Sequence, residues 1–134
     1  AEWQAAVAGT PDPGPDNGTT DCNTHSVGAV TTGSRGSCVS SDGAFDMVGN
    51  LYEWVADWVP RSTACGSWSA GVSLSGDEQC LAGAATTGEP GALLRGGYFG
   101  SGAVRAANAG PLAVLGDFGP SFSGSDGFGF RCAR

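Results

Sequence analysis

Residues Gly43 to Trp58, GAFDMVGNLYEWVADW, constrain the fold of this chain more than any other stretch. Most surrounding segments are glycine, serine, threonine and proline, whereas here Phe45, Tyr52, Trp54 and Trp58 stand beside Asp46, Glu53 and Asp57. Such a segment is both packed and charged. On a continuous helix the Cα atoms of Asp46 and Glu53 would lie about 10 Å apart, while carboxylates that share one calcium ion sit about 2.4 Å from it. Sharing an ion therefore needs a turn, and Gly49-Asn50 has turn chemistry. Beyond it, period-two spacing puts Tyr52, Trp54 and Trp58 on one face of a strand and Leu51, Glu53, Val55 and Asp57 on the other, with Pro60 as the stop. A helix fits the same residues equally well. Asn50 would be its N-cap, Glu53 would complete a capping box, and Leu51, Val55 and Trp58 would form its apolar stripe.

A chain of 134 residues has room for one domain with a modest core. Its 24 glycines and 7 prolines suit long loops, and its four Trp, six Phe and two Tyr argue against disorder. The expectation is a domain with little regular structure and well-fastened loops. The net charge of −7, with arginine as the only basic side chain apart from one histidine, makes nucleic acid and anionic membranes poor partners. It suits divalent cations and extracellular solubility. No apolar run approaches the roughly 20 residues of a membrane span, and no stretch of these 134 residues reads as a signal peptide.

The five cysteines fall into two brackets and a remainder. Cys22 and Cys38 enclose the loop from Asn23 to Ser37, and Cys65 and Cys80 enclose the loop from Gly66 to Gln79. Closing a ring of some 15 residues contributes about 3 kcal/mol in the chain-entropy model, so the bridges Cys22–Cys38 and Cys65–Cys80 are expected, in an oxidising compartment. Zinc is the competing reading. It lacks short C-x₂₋₄-C spacing and has only His25 to draw on.

Along the chain, Ala1 to Ala8 reads as a short helix with Trp3 and Val7 on one face. Thr10 to Thr20 is turn chemistry, and Asp12, Asp16 and Asn17 in it, with Asp21 just after it, form either a solvated loop or a second calcium site. Val27 to Val30 is a possible short strand, and His25 reads as a surface residue. Arg61 to Gly91 is a long excursion anchored by Trp68. Ala92 to Phe99 reads as a buried strand in which Arg95 pairs with a buried acid. Leu112 to Phe118 and Phe128 to Ala133 are further strand candidates, the last returning Phe130 to the core.

The segment DMVGNLYEWVADW, together with AEW at residues 1–3, LRGG at 94–97 and GFRCAR at 129–134, resembles the formylglycine-generating-enzyme (sulfatase-modifying factor) superfamily. The resemblance implies the strand after Gly49-Asn50 and an irregular, loop-rich α+β fold related to the C-type lectins, with short strands and little helix. It also implies that residues 1–134 form a single domain whose N-terminal part is missing, and that Cys132 pairs within that part or stays a buried thiol. By the same resemblance Asp46, Gly49, Leu51 and Glu53 hold a structural Ca²⁺, Asp46 and Glu53 through side chains and the other two through carbonyls. In the alternative, Glu53 satisfies backbone donors and no ion binds.

The enzymes of that superfamily use a cysteine pair, after the stretch matching Gly96 to Phe99, for copper-dependent oxidation, and a relative uses three iron-binding histidines. Here GGYFGSGAVRAANAGP carries no cysteine and His25 is alone, so catalysis by those routes is not expected. Residues 94–134 resemble instead the variable region of proteins diversified by retroelements, in which a C-type-lectin scaffold displays varied side chains. That resemblance places ligand contacts at Tyr98, Phe99, Ser101, Leu112 and Val114. It adds Asp117, Phe118, Phe122, Ser123 and Asp126, a composition akin to antibody paratopes. The leading reading is a secreted or surface-displayed, non-catalytic domain that binds an extracellular protein or other surface ligand. The alternatives are a metal-dependent oxidoreductase completed by the missing part, and a self-associating surface protein.

Overall fold

The computed structural model describes residues 2–11, 16–63, 79–80, 83–88, 90–100, 114–115 and 127–131. Helix α1 spans Glu2–Ala6, with the acidic Glu2 in its first turn, where the helix dipole favours negative charge. The Val7 amide still donates to the Trp3 carbonyl at 3.0 Å, and the chain leaves the helix through Gly9 at φ +77°. Val7 is buried with Cys22, Cys38, Met47 and Val48, and Trp3, Ala6 and Ala44 pack against this first core.

Cys22 and Cys38 are joined by the expected disulfide, their Cα atoms 4.8 Å apart. The loop around it is held by side chains in place of strands. Asn17 Oδ1 accepts from the amides of Thr19 and Thr20, and Asp16 accepts from those of Gly18 and Thr24. Asp16 also pairs with the buried Arg35 at 3.2 Å. The expected strand from Val27 to Val30 does not form, and Val27 is fully exposed. His25 is exposed, as its sequence context suggested. Cys65, Trp68 and Cys132 lie outside the described residues, and with them the expected Cys65–Cys80 bridge.

Five strands form one mixed sheet: β1 Tyr52–Val59, β2 Gln79–Cys80, β3 Gly91–Arg95, β4 Val114–Leu115 and β5 Phe128–Phe130, in the order β2-β4-β3-β1-β5. β1 runs antiparallel to β3 and parallel to β5, β3 antiparallel to β4, and β2 parallel to β4. With one short helix among the described residues, these form an irregular α+β arrangement rich in loops. The segment after Gly49-Asn50 is a strand, and it ends at Val59, before Pro60.

Two expectations are corrected by the sheet, and one is kept. The register of β1 against β3 shifts between Trp54 and Trp58, which pair with Leu94 and Ala92 and so keep one face as expected. Trp58 is nonetheless 56% exposed, unlike the buried Tyr52. β3 stops at Arg95, short of Phe99, because Gly96 turns at φ +83° with its α-carbon so close to Met47 that a Cβ would lie 2.7 Å from the Met47 carbonyl oxygen. Phe130 is 76% exposed instead of returning to the core, because β5 lies at the end of the sheet and Phe128 provides the packing. Phe128 stands 5.5 Å from Tyr52 and 5.8 Å from Trp54 between ring centroids, in a second core with Tyr52, Leu94 and Tyr98.

Candidate functional site

The turn between the two cores is built from left-handed backbone. Asp46, Gly49 and Asn50 have φ of +57°, +71° and +62°, a region that glycine adopts freely and that Asn and Asp tolerate best among side-chain-bearing residues. At Gly49 no side chain fits, since a Cβ would approach the Asn23 carbonyl oxygen to 2.5 Å. Asn50 is wholly committed to bonds within the protein. Its Oδ1 accepts from the Val30 amide at 2.8 Å and from Asn23 Nδ2 at 3.1 Å, and its Nδ2 donates to the Val30 carbonyl. These bonds weld the disulfide loop to the start of β1.

Under this turn lies a concavity of about 120 Å³ lined by Thr32, Asp46, Asn50, Leu51, Glu53, Gly129, Phe130 and Arg131. Asp46 is buried; its Oδ2 accepts from the Gly33 amide at 2.8 Å, and its Oδ1 has no hydrogen-bond partner. Glu53, also buried, accepts from Trp3 Nε1 through Oε2 and from Arg131 Nε through Oε1. Burial pushes the Glu53 carboxyl above its ordinary range, Arg131 and Trp3 pull it down, and the charge of Asp46 adds a further push upward.

Two carboxylates on one small hollow, one with an orphaned oxygen, form a hard oxygen donor set of the kind that suits calcium. Of the four expected ligands, Asp46, Leu51 and Glu53 line the hollow and Gly49 does not; the Gly49 amide is bonded to the Gly96 carbonyl at 3.0 Å. No group of three or more His, Cys, Asp or Glu is gathered among the described residues. Any ion held here would therefore depend on backbone and hydroxyl oxygens for most of its shell.

Four separated sequence pieces meet at this place. Trp3 bonds Glu53, Arg131 contacts the same carboxylate, and the Arg95 guanidinium lies 5.5 Å from the centre of the Trp3 ring. Burial lowers the affinity of Arg95 for its proton, and the acid that opposes this is the exposed Asp57. The buried acid expected beside Arg95 is thus replaced by an aromatic face, and Glu53 takes Arg131. A family model described as "Sulfatase-modifying factor enzyme 1-like domain" matches residues 1–134. The chain belongs to that family. No curated protein and no solved structure matches it.

In this member of the sulfatase-modifying factor enzyme 1-like family, the segment expected to meet a ligand begins on this turn and ends at the start of β1. The Phe99 amide donates to the Asn50 carbonyl at 3.0 Å, and the Tyr52 amide donates to the Gly127 carbonyl at 2.7 Å. Tyr98 stacks on Tyr52 with ring centroids 4.9 Å apart and meets Phe99 edge-on at 5.2 Å, so both are partly buried. Val114 lies in β4. Ser101, Leu112, Asp117, Phe118, Phe122, Ser123 and Asp126 lie outside the described residues. No helix of the described residues is long and apolar enough to cross a membrane. The contacts of Arg131, Asn23 and Arg35 escaped the sequence reading, because none has a local pattern around it.

Proposed function

We propose that the chain is a non-catalytic extracellular ligand-binding domain on a calcium-stabilised, C-type-lectin-like scaffold. Residues 98–126 grip the ligand, a protein or other surface molecule, with Leu112, Phe118 and Phe122 as apolar contacts. The observation that carries this reading is the anchoring of that segment: Phe99 at its start bonds to Asn50 of the turn, and Gly127 just after it bonds to Tyr52 at the start of β1. Long loops fixed at both ends on a rigid scaffold are where recognition is commonly placed. The stretch from Gly96 to Pro111 has no thiol to select Cu(I), and His25 alone supplies no triad.

The disulfide supports an oxidising, extracellular setting. The orphaned Asp46 Oδ1 beside Glu53 supports calcium, whose role here is to fasten the turn. The LRGG and GFRCAR ends around a middle of small residues and isolated large apolar ones support diversification by a retroelement. A reverse transcriptase gene beside a near-copy of the coding segment for residues 94–134 is the genomic sign of it.

Elemental analysis of protein produced with calcium, copper and iron in the medium tests the non-catalytic reading. Stoichiometric calcium is expected, and one equivalent of copper or iron overturns the reading. Against a panel of extracellular proteins and glycans, the double variant Phe118→Ala/Phe122→Ala should lose the binding that the unaltered chain shows. Retained binding overturns the placement of the ligand site.

A further inference from the structure

Glu53 already holds a cation that belongs to the chain. Arg131 Nε contacts Glu53 Oε1, and Arg131, Glu53 and Asp46, whose Oδ1 has no hydrogen-bond partner, line the same hollow. Two carboxylates and one guanidinium leave one negative charge unbalanced. A divalent ion between Asp46 and Glu53 would neutralise both carboxylates, yet it would lie against the guanidinium, and like charges at such short range repel. The site therefore accommodates either cation beside Glu53 but not both together.

The two partners differ in how freely they can leave. The Arg131 side chain is 34% exposed and that of Glu53 only 6%. The guanidinium can swing into water, while the carboxylate is fixed by the Trp3 indole on its other oxygen. That indole is a neutral donor and can stay in place beside a bound ion.

We propose that Arg131 is an internal competitor for the divalent cation of this site. It closes on Glu53 when the ion is absent and moves out to solvent when the ion binds. Arg131 directly follows β5, and β5 follows Gly127, where the 98–126 segment returns to the start of β1. Occupancy of the hollow thus sets the state of the residue that ends the returning strand. The inference rests on the calcium reading given above.

Isothermal titration of calcium chloride into the full chain, and into its Arg131→Gln and Arg131→Lys variants, tests it. Competition weakens apparent affinity by the fraction of time that the site is closed, so a site closed nine-tenths of the time gains about tenfold in affinity in Arg131→Gln. Arg131→Lys should fall between that variant and the unaltered chain. Equal or weaker binding by Arg131→Gln overturns the proposal and leaves the calcium site standing. Absence of binding by all three removes the calcium reading, and the proposal with it. A measurement on the unaltered chain guards against a variant that does not fold. The Nε–H resonance of Arg131, protected in chelator by its carboxylate contact, should shift and exchange with water on addition of calcium. An unmoved resonance at saturating calcium overturns the proposal.

Discussion

Trp3 Nε1 donates to Glu53 Oε2 at 2.7 Å, tying α1 to β1 across 50 positions of sequence. The same indole carries the Arg95 guanidinium on its face. A hydrogen bond to a charged group contributes about 1.5–3 kcal/mol. Trp3→Phe keeps an aromatic ring and removes the donor, so it should destabilise the fold by about 2 kcal/mol. In urea unfolding this appears as a lower midpoint with an unchanged slope; an unchanged midpoint would show that the bond contributes nothing.

Glu53 sets a pH dependence of definite sign. Burial raises its carboxyl above the ordinary 4.5 in the folded chain, although Arg131 and Trp3 oppose the shift. A carboxyl raised on folding binds its proton more tightly in the folded than in the unfolded chain. Its stabilising contribution is therefore complete below the unfolded value and is lost as the pH rises through the folded one. In chelator, the unaltered chain should gain stability relative to Glu53→Gln as the pH falls from 7 towards 4.5. A difference between the two chains that is constant across that range contradicts the shift.

The Cys22–Cys38 bridge closes a separation of 16 residues. Chain entropy gives such a ring about 3 kcal/mol. The Cys22→Ala/Cys38→Ala variant should therefore melt about 10 °C lower by circular dichroism, a typical response for a domain of this size. Loss in this variant should be matched by treating the unaltered chain with reductant.

Removal of calcium is expected to act through Asp46, whose Oδ1 has no hydrogen-bond partner in the protein. At a free concentration of 100 times the dissociation constant, a ligand of the folded state adds about 2.7 kcal/mol. A chelator should lower the melting temperature of the unaltered chain and leave that of Asp46→Ala unmoved. An equal response in both would remove Asp46 from the site.

The sequence makes some of this site legible because its signals are local. Loop length between Cys22 and Cys38 suffices for the bridge, and Gly49-Asn50 suffices for a turn between two acids. Residues alone left helix and strand open after that turn, since Asn50 and Glu53 also spell a capping box. In the structure Asn50 bonds Val30 and Asn23, which lie 20 and 27 positions away, and no local pattern announces such bonds. The partner of Glu53 was hidden for the same reason. Arg95 and Arg131 are equally good cations by type, and the choice between them rests on a parallel pairing that brings Arg131 across 78 positions. Phe130 shows a further limit. Alternation over three residues gives the face of a side chain but not whether anything covers that face at the end of a sheet.

The parallel pairing of β1 with β5 also sets a schedule for the making of the protein. β1 ends at Val59, and the strand that covers its second edge begins at Phe128. During synthesis, roughly 4–14 s separate the two at ordinary elongation rates. Throughout that interval the nascent chain exposes a hydrogen-bonding edge rich in Trp and Tyr. A ribosome stalled before Phe128 would thus present a strand ready to pair with any other open edge, and yield in the cell should depend on how quickly the last strand follows.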